Sequence, residues 1–158
     1  TLGLTWETAF KITIVPVYVM VVVNLVNMHS GFNGLQSGLS FIILGTLILK
    51  SIIDGKTDNL LVAGSFLGSI LAFWFYNKYP SKIIEGNIGS LSFGAVIGSL
   101  IVVQQYWLFG FFILIPHTVN FLLWISWYIN LLPLIMMSES VNSRKSAGNP
   151  IILSLIHI

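Results

Sequence analysis

Residues 10–35 read FKITIVPVYVMVVVNLVNMHSGFNGL, and this stretch decides the class of fold. Its first part, residues 10–26, is apolar. A helix that crosses a membrane needs about 17 to 25 residues, and this segment is long enough. A segment with three asparagines and two glycines then follows. Amides and bare backbone are costly at the edge of a bilayer, because hydrocarbon offers them no hydrogen-bond partner. The stretch therefore predicts a spanning helix that ends in a functional segment, residues 24–35, called the first motif below.

The composition of the whole chain agrees with a membrane location. Hydrophobic residues make up 56% of the 158 positions and charged residues 8%, and the mean hydropathy is +0.92. These values lie far outside the mix of a soluble domain. The charges fall in short clusters between apolar runs, as loops and interfaces of a membrane protein require. The chain is predicted to be a single all-α transmembrane domain, residues 1–158, with the lipid bilayer and no nucleic acid as its surroundings.

Five apolar segments are long enough to be spans, although the second and fourth are short. They are predicted at residues 10–26, 38–53, 60–76, 91–103 and 107–132. Residues 151–158 are predicted to begin a truncated sixth span. The N-terminus has no initiator Met and no signal-peptide pattern, so the chain is expected to be part of a longer protein. It has no cysteine, which excludes disulfides and zinc–thiolate or iron–sulfur sites within this chain.

Counting the spans brings two polar segments to one face of the membrane. If the first span ends at the first motif, the third returns to residues 77–90, called the second motif, and the fifth to a predicted loop at 138–150. The positive-inside rule favours this face as cytoplasmic by four basic residues against three. The four are Lys78, Lys82, Arg144 and Lys145, against Lys11, Lys50 and Lys56.

These residue types suit a phosphorylated ligand. Amides offer oxygen ligands to a hard cation and paired donors and acceptors to a nucleobase, while glycines let backbone N–H groups approach a phosphate. Nearby lysines and an arginine would offset the charge of a polyanion.

At this point the chain resembles a known family, the polyprenyl-phosphate N-acetylhexosamine-1-phosphate transferases. The pattern Asn-x-x-Asn-x-x-x-Gly-x-Asn-Gly-Leu is most like the eukaryotic and archaeal branch that makes dolichyl-diphosphate-GlcNAc. Residues 75–90, FYNKYPSKIIEGNIGS, are similar to that family's Asn-x-x-Pro-[Ala/Ser]-[Lys/Arg]-hydrophobic-hydrophobic-x-Gly-Asp-x-Gly-Ser. A weaker third motif is IPHTVNF at residues 115–121. The first pattern is met by Asn24, Asn27, Gly31, Asn33, Gly34 and Leu35.

The resemblance implies an enzyme of about ten spans, of which this chain is the C-terminal portion and by itself inactive. The implied reaction transfers GlcNAc-1-phosphate from UDP-GlcNAc to a polyprenyl (dolichyl-type) phosphate with Mg²⁺, or alternatively Mn²⁺. It would start a lipid-linked glycan pathway for protein glycosylation at the cytoplasmic face of the cell membrane or the endoplasmic reticulum membrane. A homodimer is a further expectation.

The resemblance also implies roles for individual residues. Asn27 and Asn87 would be catalytic and lie at the metal. The nucleotide pocket would be formed by Asn24, Gly31, Asn33 and Gly34. The phosphates and sugar would meet Lys78, Lys82, Arg144 and Lys145. Two departures each remove a negative charge: Asn87 stands where the family has a magnesium-binding Asp, and Gln36 where the eukaryotic-type motif continues with Glu.

Other interpretations of the same residues stay open. A non-catalytic membrane fragment or a transporter half would also carry polar residues at helix ends. Asn24 alone would read as a cap residue, and Lys78 and Lys82 as interfacial side chains. Two small-xxx-small patterns predict close helix packing rather than function. They are Gly64 with Gly68, and Gly94 with Gly98.

Overall fold

The structure is a computed structural model that describes residues 5–146, and over this range it is helical without strands. Five of its helices, all except α5, are long and apolar enough to cross a membrane, which confirms the predicted all-α transmembrane bundle. The helices are α1 (Trp6–Asn27), α2 (Leu35–Ile53), α3 (Leu60–Asn77), α4 (Gly86–Val103), α5 (Trp107–Ile113) and α6 (Ile115–Ser146).

Several predicted boundaries were wrong. Helix α2 begins three residues before the predicted 38, and α4 five residues before the predicted 91, so the end of the second motif is its first turn. Residues 107–132 form no single span: the chain breaks at Leu114, and Pro116 then lies in the first turn of α6, where its missing N–H breaks no helical hydrogen bond. Residues 138–146, predicted as a loop, continue α6, because polar residues without Gly or Pro are adequate helix formers. Residues 147–150 and the predicted sixth span, 151–158, lie outside the described residues.

The chain forms two compact units that divide after Asn120. In the first unit α1 packs along α4, and α2 packs against α3 and α4. The centre of this unit is a dry aliphatic cluster, with fully buried side chains that include Val26, Leu44, Leu47, Ile97 and Ile101. In the second unit the rings of Trp124 and Tyr128 stack within α6, with centroids 5.4 Å apart.

Glycine permits the close contact between α1 and α4. A Cβ on Gly94 would lie 2.6 Å from Val23 Cα, and one on Gly98 would lie 3.3 Å from Val22 Cβ. The packing prediction is therefore confirmed for this pair. It was wrong for Gly64 and Gly68, which are exposed and would place a Cβ in open space within the described part of the chain.

The end of the first unit opposite the two motifs is closed by basic side chains. Lys56 Nζ donates to the Gln104 carbonyl at 2.5 Å, so the α2–α3 and α4–α5 connections meet there. Lys50 pairs with Asp54 at 2.6 Å, and both lysines lie over the Tyr106 ring. This arrangement confirms the counting of spans, which placed Lys50 and Lys56 away from the motifs.

Candidate functional site

Asn77, the last residue of α3, joins the first motif to the second. Its side chain is 3% exposed. Its Oδ1 accepts from Gly34 N at 3.0 Å and from Ser37 Oγ at 2.8 Å, while its Nδ2 donates to the Ile83 carbonyl at 3.0 Å. The amide oxygen thus holds the start of α2, about 40 residues earlier in the chain, and the amide nitrogen holds the loop that follows α3. Asn77 therefore has a structural role. In the sequence it is recognisable only as one position of the second motif.

Gly34 lies at the tightest point of this junction. Its φ of +76° is left-handed, a conformation that glycine adopts without strain. A Cβ there would also lie 2.8 Å from Lys78 Cα. The indole Nε1 of Trp74 donates to the Gly34 carbonyl at 3.2 Å, so Trp74 also holds the first motif.

A second junction joins Asn27 to the start of α4. Ser90 Oγ donates to Asn27 Oδ1, and the same hydroxyl lies 3.1 Å from the Asn87 carbonyl oxygen. The two asparagines that the resemblance places at the metal therefore lie on adjoining helix ends. Asn27 is half-buried, whereas the Asn87 side chain is exposed.

The tip of the first motif is open. Gly31 has no atom within 4 Å of a built Cβ, Asn33 is exposed, and Phe32 is 66% exposed. An exposed amide beside an exposed aromatic ring can hydrogen-bond and stack with a planar ligand. Asn24, one helical turn before Asn27, is exposed and donates to the Met20 carbonyl of its own helix at 2.8 Å.

The two lysines of the second motif are exposed on the same end of the bundle. Lys78 caps α3, and its Nζ lies 5.2 Å from the Trp74 ring centroid and 5.1 Å from that of Phe75. This cation–π contact holds the ammonium group over these two rings. Lys82 donates its backbone N–H to the Tyr76 carbonyl at 2.9 Å. Its side chain is exposed to solvent.

The third motif meets the first through two histidines. The ring centroids of His29 and His117 are 4.3 Å apart, with the planes at 53°. His29 is 6% exposed and His117 is 0% exposed. Burial lowers the pKa of His29, and a hydrogen bond to the Leu25 backbone opposes the shift. No local sequence pattern relates these two residues, which lie 88 positions apart.

The single carboxylate of the two motifs is Glu85, just before α4. One of its oxygens is buried without a hydrogen-bond partner among the described residues, and burial raises the pKa of Glu85 to about 7. Gln36 is fully buried, and within residues 5–146 neither of its amide atoms has a partner. Asn87 and Gln36, the two positions where the family has a carboxylate, thus differ in their surroundings: Asn87 faces solvent and Gln36 does not.

A divalent cation does not fit these side chains alone. Magnesium usually takes one or two carboxylates together with substrate phosphates and water. Asn27 and Asn87 offer neutral oxygens, and that of Asn27 already accepts from Ser90. Between residues 5 and 146 no three His, Cys, Asp or Glu side chains group as metal ligands. Any metal at this end needs further ligands from elsewhere.

Arg144 and Lys145 are not brought to this site by anything the structure describes. Both residues lie near the C-terminal end of α6, in the second unit, and their side chains lie outside the described part of the chain. The remaining predicted positions gather at the α1–α2 and α3–α4 connections: Asn24, Asn27, Gly31, Asn33, Gly34, Lys78, Lys82 and Asn87.

The fold and this polar end define a polytopic membrane protein with a solvent-facing site between helix ends. Residues 1–105 match the family described as glycosyl transferase family 4. The chain belongs to that family, as the motifs predicted. No solved structure matches the chain.

Three relatives show the range of the family. A Methanocaldococcus jannaschii protein named as a glycosyltransferase is 34% identical over 73% of this chain and 38% of its own length. A Saccharolobus solfataricus protein named as a UDP-N-acetylglucosamine–dolichyl-phosphate N-acetylglucosaminephosphotransferase is 34% identical over 72% and 36%. A phospho-N-acetylmuramoyl-pentapeptide-transferase of Prochlorococcus marinus subsp. pastoris is 33% identical over 66% and 31%. The chain thus spans roughly a third of these relatives.

Proposed function

We propose that the protein to which this chain belongs transfers GlcNAc-1-phosphate from UDP-GlcNAc to a polyprenyl (dolichyl-type) phosphate at the cytoplasmic membrane face. The observation that carries the proposal is the hydrogen-bonded junction of the first and second motifs through Asn77. It supports a shared site because it joins exposed amides, an open glycine segment and two lysines at one end of spanning helices. The archaeal relative named for this reaction supports the choice of substrates.

The reaction is a phosphoryl transfer. An oxygen of the polyprenyl phosphate attacks the β-phosphorus of UDP-GlcNAc and forms a new P–O bond. The bond between that phosphorus and the bridging oxygen breaks, and UMP leaves with the electron pair. In the proposal Asn33 hydrogen-bonds the uracil, Gly31 and Gly34 admit the nucleotide close to backbone, and Lys78 and Lys82 offset phosphate charge.

Magnesium, or alternatively manganese, belongs to the proposal only as an ion held jointly. Its remaining ligands would come from the substrate diphosphate and from the rest of the enzyme, because Asn27 and Asn87 alone do not complete a site. We therefore assign no step to it.

The scarcity of carboxylates favours a second candidate, a non-catalytic membrane protein of the same family. A measurement of UMP release distinguishes the two candidate functions. The full-length protein is supplied with UDP-GlcNAc, polyprenyl phosphate and Mg²⁺. Asn33→Ala should raise the KM for UDP-GlcNAc about tenfold, equivalent to one lost hydrogen bond of about 1.4 kcal/mol. Asn87→Asp should lower the Mg²⁺ concentration needed for half-maximal activity.

Asn59→Ala is the matched control, since Asn59 lies at the opposite end of α3, and its kinetics should match the parent protein. No UMP release from any form would leave the non-catalytic candidate. Release from UDP-MurNAc-pentapeptide but not from UDP-GlcNAc would keep the reaction and change the sugar.

A further inference from the structure

Two buried imidazoles, one in the first motif and one in the third, have no role in the proposed reaction. His29 lies in the turn after α1, and His117 lies in the first turn of α6. Their rings are in contact, with centroids 4.3 Å apart. A buried histidine in a core usually has its nitrogens satisfied, but both nitrogens of His117 are buried without a hydrogen-bond partner among residues 5–146. Such a group costs folding free energy.

The geometry is that of ring packing and not of a shared metal. An ion bonded to two imidazole nitrogens at about 2.0 Å would hold the two ring centroids roughly 5 Å apart or more. The observed rings are closer than that and tilted against each other. The contact therefore acts through the faces and edges of the rings.

The position of the contact gives it a consequence. His29 stands two residues after Asn27 and two before Gly31, which lies in open space. The far end of the first motif is fixed at Gly34 by Asn77. The tip between them, residues 31–33, is exposed, so its placement depends on how firmly its two flanks are held.

We propose that His29 and His117 are a positioning pair, whose ring contact fixes the near flank of the first motif so that its tip is placed for nucleotide binding. The catalytic meaning of the pair rests on the proposed function, and its effect on the tip does not. Because the ring contact carries the effect, Phe at position 117 should replace His, whereas Ala should not.

Cysteine labelling tests the placement of the tip without any assay of activity. This chain has no cysteine, and Gly31 has room for a side chain, so Gly31→Cys is introduced into full-length protein otherwise free of cysteine. A nitroxide spin label on this cysteine should tumble faster in His117→Ala, with a rotational correlation time about threefold shorter, because the near flank of the tip is no longer held. In His117→Phe and in the control Thr118→Ala, which alters the neighbouring side chain, the correlation time should stay within about 1.5-fold of the parent value.

Enzyme kinetics test the pair in catalysis. His29→Ala and His117→Ala should each raise the KM for UDP-GlcNAc about five- to tenfold, while kcat stays within about twofold, because the effect falls on nucleotide binding. The double variant should be no worse than either single variant, since each change already breaks the same contact. His117→Phe should restore the parent KM.

The outcomes separate this inference from the proposed function. An unchanged correlation time of the spin label in His117→Ala, or an equally shortened one in His117→Phe, would overturn the positioning pair. Additive KM effects in the double variant would do the same. If the parent protein releases no UMP, the proposed function fails and the correlation time still decides the inference. If UMP is released while the correlation time and KM are unaffected, the inference alone fails.

Discussion

At the level of single residues, the site is held by side chains that solvent hardly reaches. Asn77 joins the first motif to the second through its amide oxygen and holds the second motif's own loop through its amide nitrogen, and Ser90 bridges Asn27 to the start of α4. The residues expected to meet substrate, such as Asn33, are exposed. These exposed residues could be predicted from the sequence because they match the motifs of a known family. Sequence reasoning missed Ser37 as a partner of Asn77, because a serine in an apolar helix carries no signal of its contacts.

We expect Asn77→Ala to destabilise the protein by about 2 to 4 kcal/mol, because it leaves the Gly34 N–H and other buried groups without partners. Thermal unfolding of the purified protein in detergent measures the effect. Asn24→Ala is the control, since Asn24 is exposed and bonds within its own helix. Equal stability of the two variants would show that the junction does not depend on Asn77.

The two positions that lack an expected carboxylate should respond differently when it is introduced. Gln36→Glu would bury a carboxylate without a partner and should destabilise the protein by about 3 kcal/mol or more at neutral pH. Asn87→Asp adds an exposed charge and should change stability by less than about 0.5 kcal/mol. Thermal unfolding of both variants checks the contrast. A stable Gln36→Glu variant would point to a buried cation or donor near α2.

At the level of elements, hydropathy predicted where helices exist but not where they begin. The second motif shows the reason: residues 86–90 are small or polar except for Ile88, yet they form the first turn of α4, and Gly86 starts the helix from a left-handed φ of +61°. The predicted fifth span was likewise split at Leu114. Apolar runs reflect the solvent around a segment, whereas helix ends are set by local backbone conformation.

Gly94→Ala should destabilise the α1–α4 pair by about 1 to 3 kcal/mol, because the new methyl group would meet the backbone of Val23. Gly64→Ala is the matched control with the same chemical change, and it should leave stability unchanged or slightly raised, since its Cβ meets open space. Unfolding midpoints in detergent compare the two. A larger loss at Gly64 would indicate that α3 packs against a surface outside this chain.

At the level of the whole molecule, counting apolar segments placed the ends of α1 to α4 correctly at one end of the bundle or the other, whereas the predicted fifth span is split at Leu114. The motif end and the Lys56–Gln104 end fall where that count placed them. The histidine contact could not be foreseen in the same way, because it joins residues that no local pattern relates. The cytoplasmic orientation, and the place of residues 1–158 in a longer enzyme, remain predictions.

Single-cysteine labelling tests the path and the orientation together. Cysteines at Gly31 and Lys82 should react from one side of the membrane, and a cysteine at Thr57 from the other, as all three positions are exposed. In intact cells an impermeant maleimide should label position 57, and positions 31 and 82 only after permeabilisation. Labelling of 31 and 82 from opposite sides would contradict the fold, and labelling of both from outside would reverse the orientation.

The junctions of the site also determine when it can form during synthesis. Gly34 and Asn77 lie 43 positions apart, and Asn27 and Ser90 lie 63 apart. A ribosome must therefore deliver three further helices to the membrane before Asn27 meets its partner, and contacts of such long separation form late. Until α3 has been delivered, the polar segment after α1 has neither junction and must rely on whatever cellular machinery protects unassembled membrane helices.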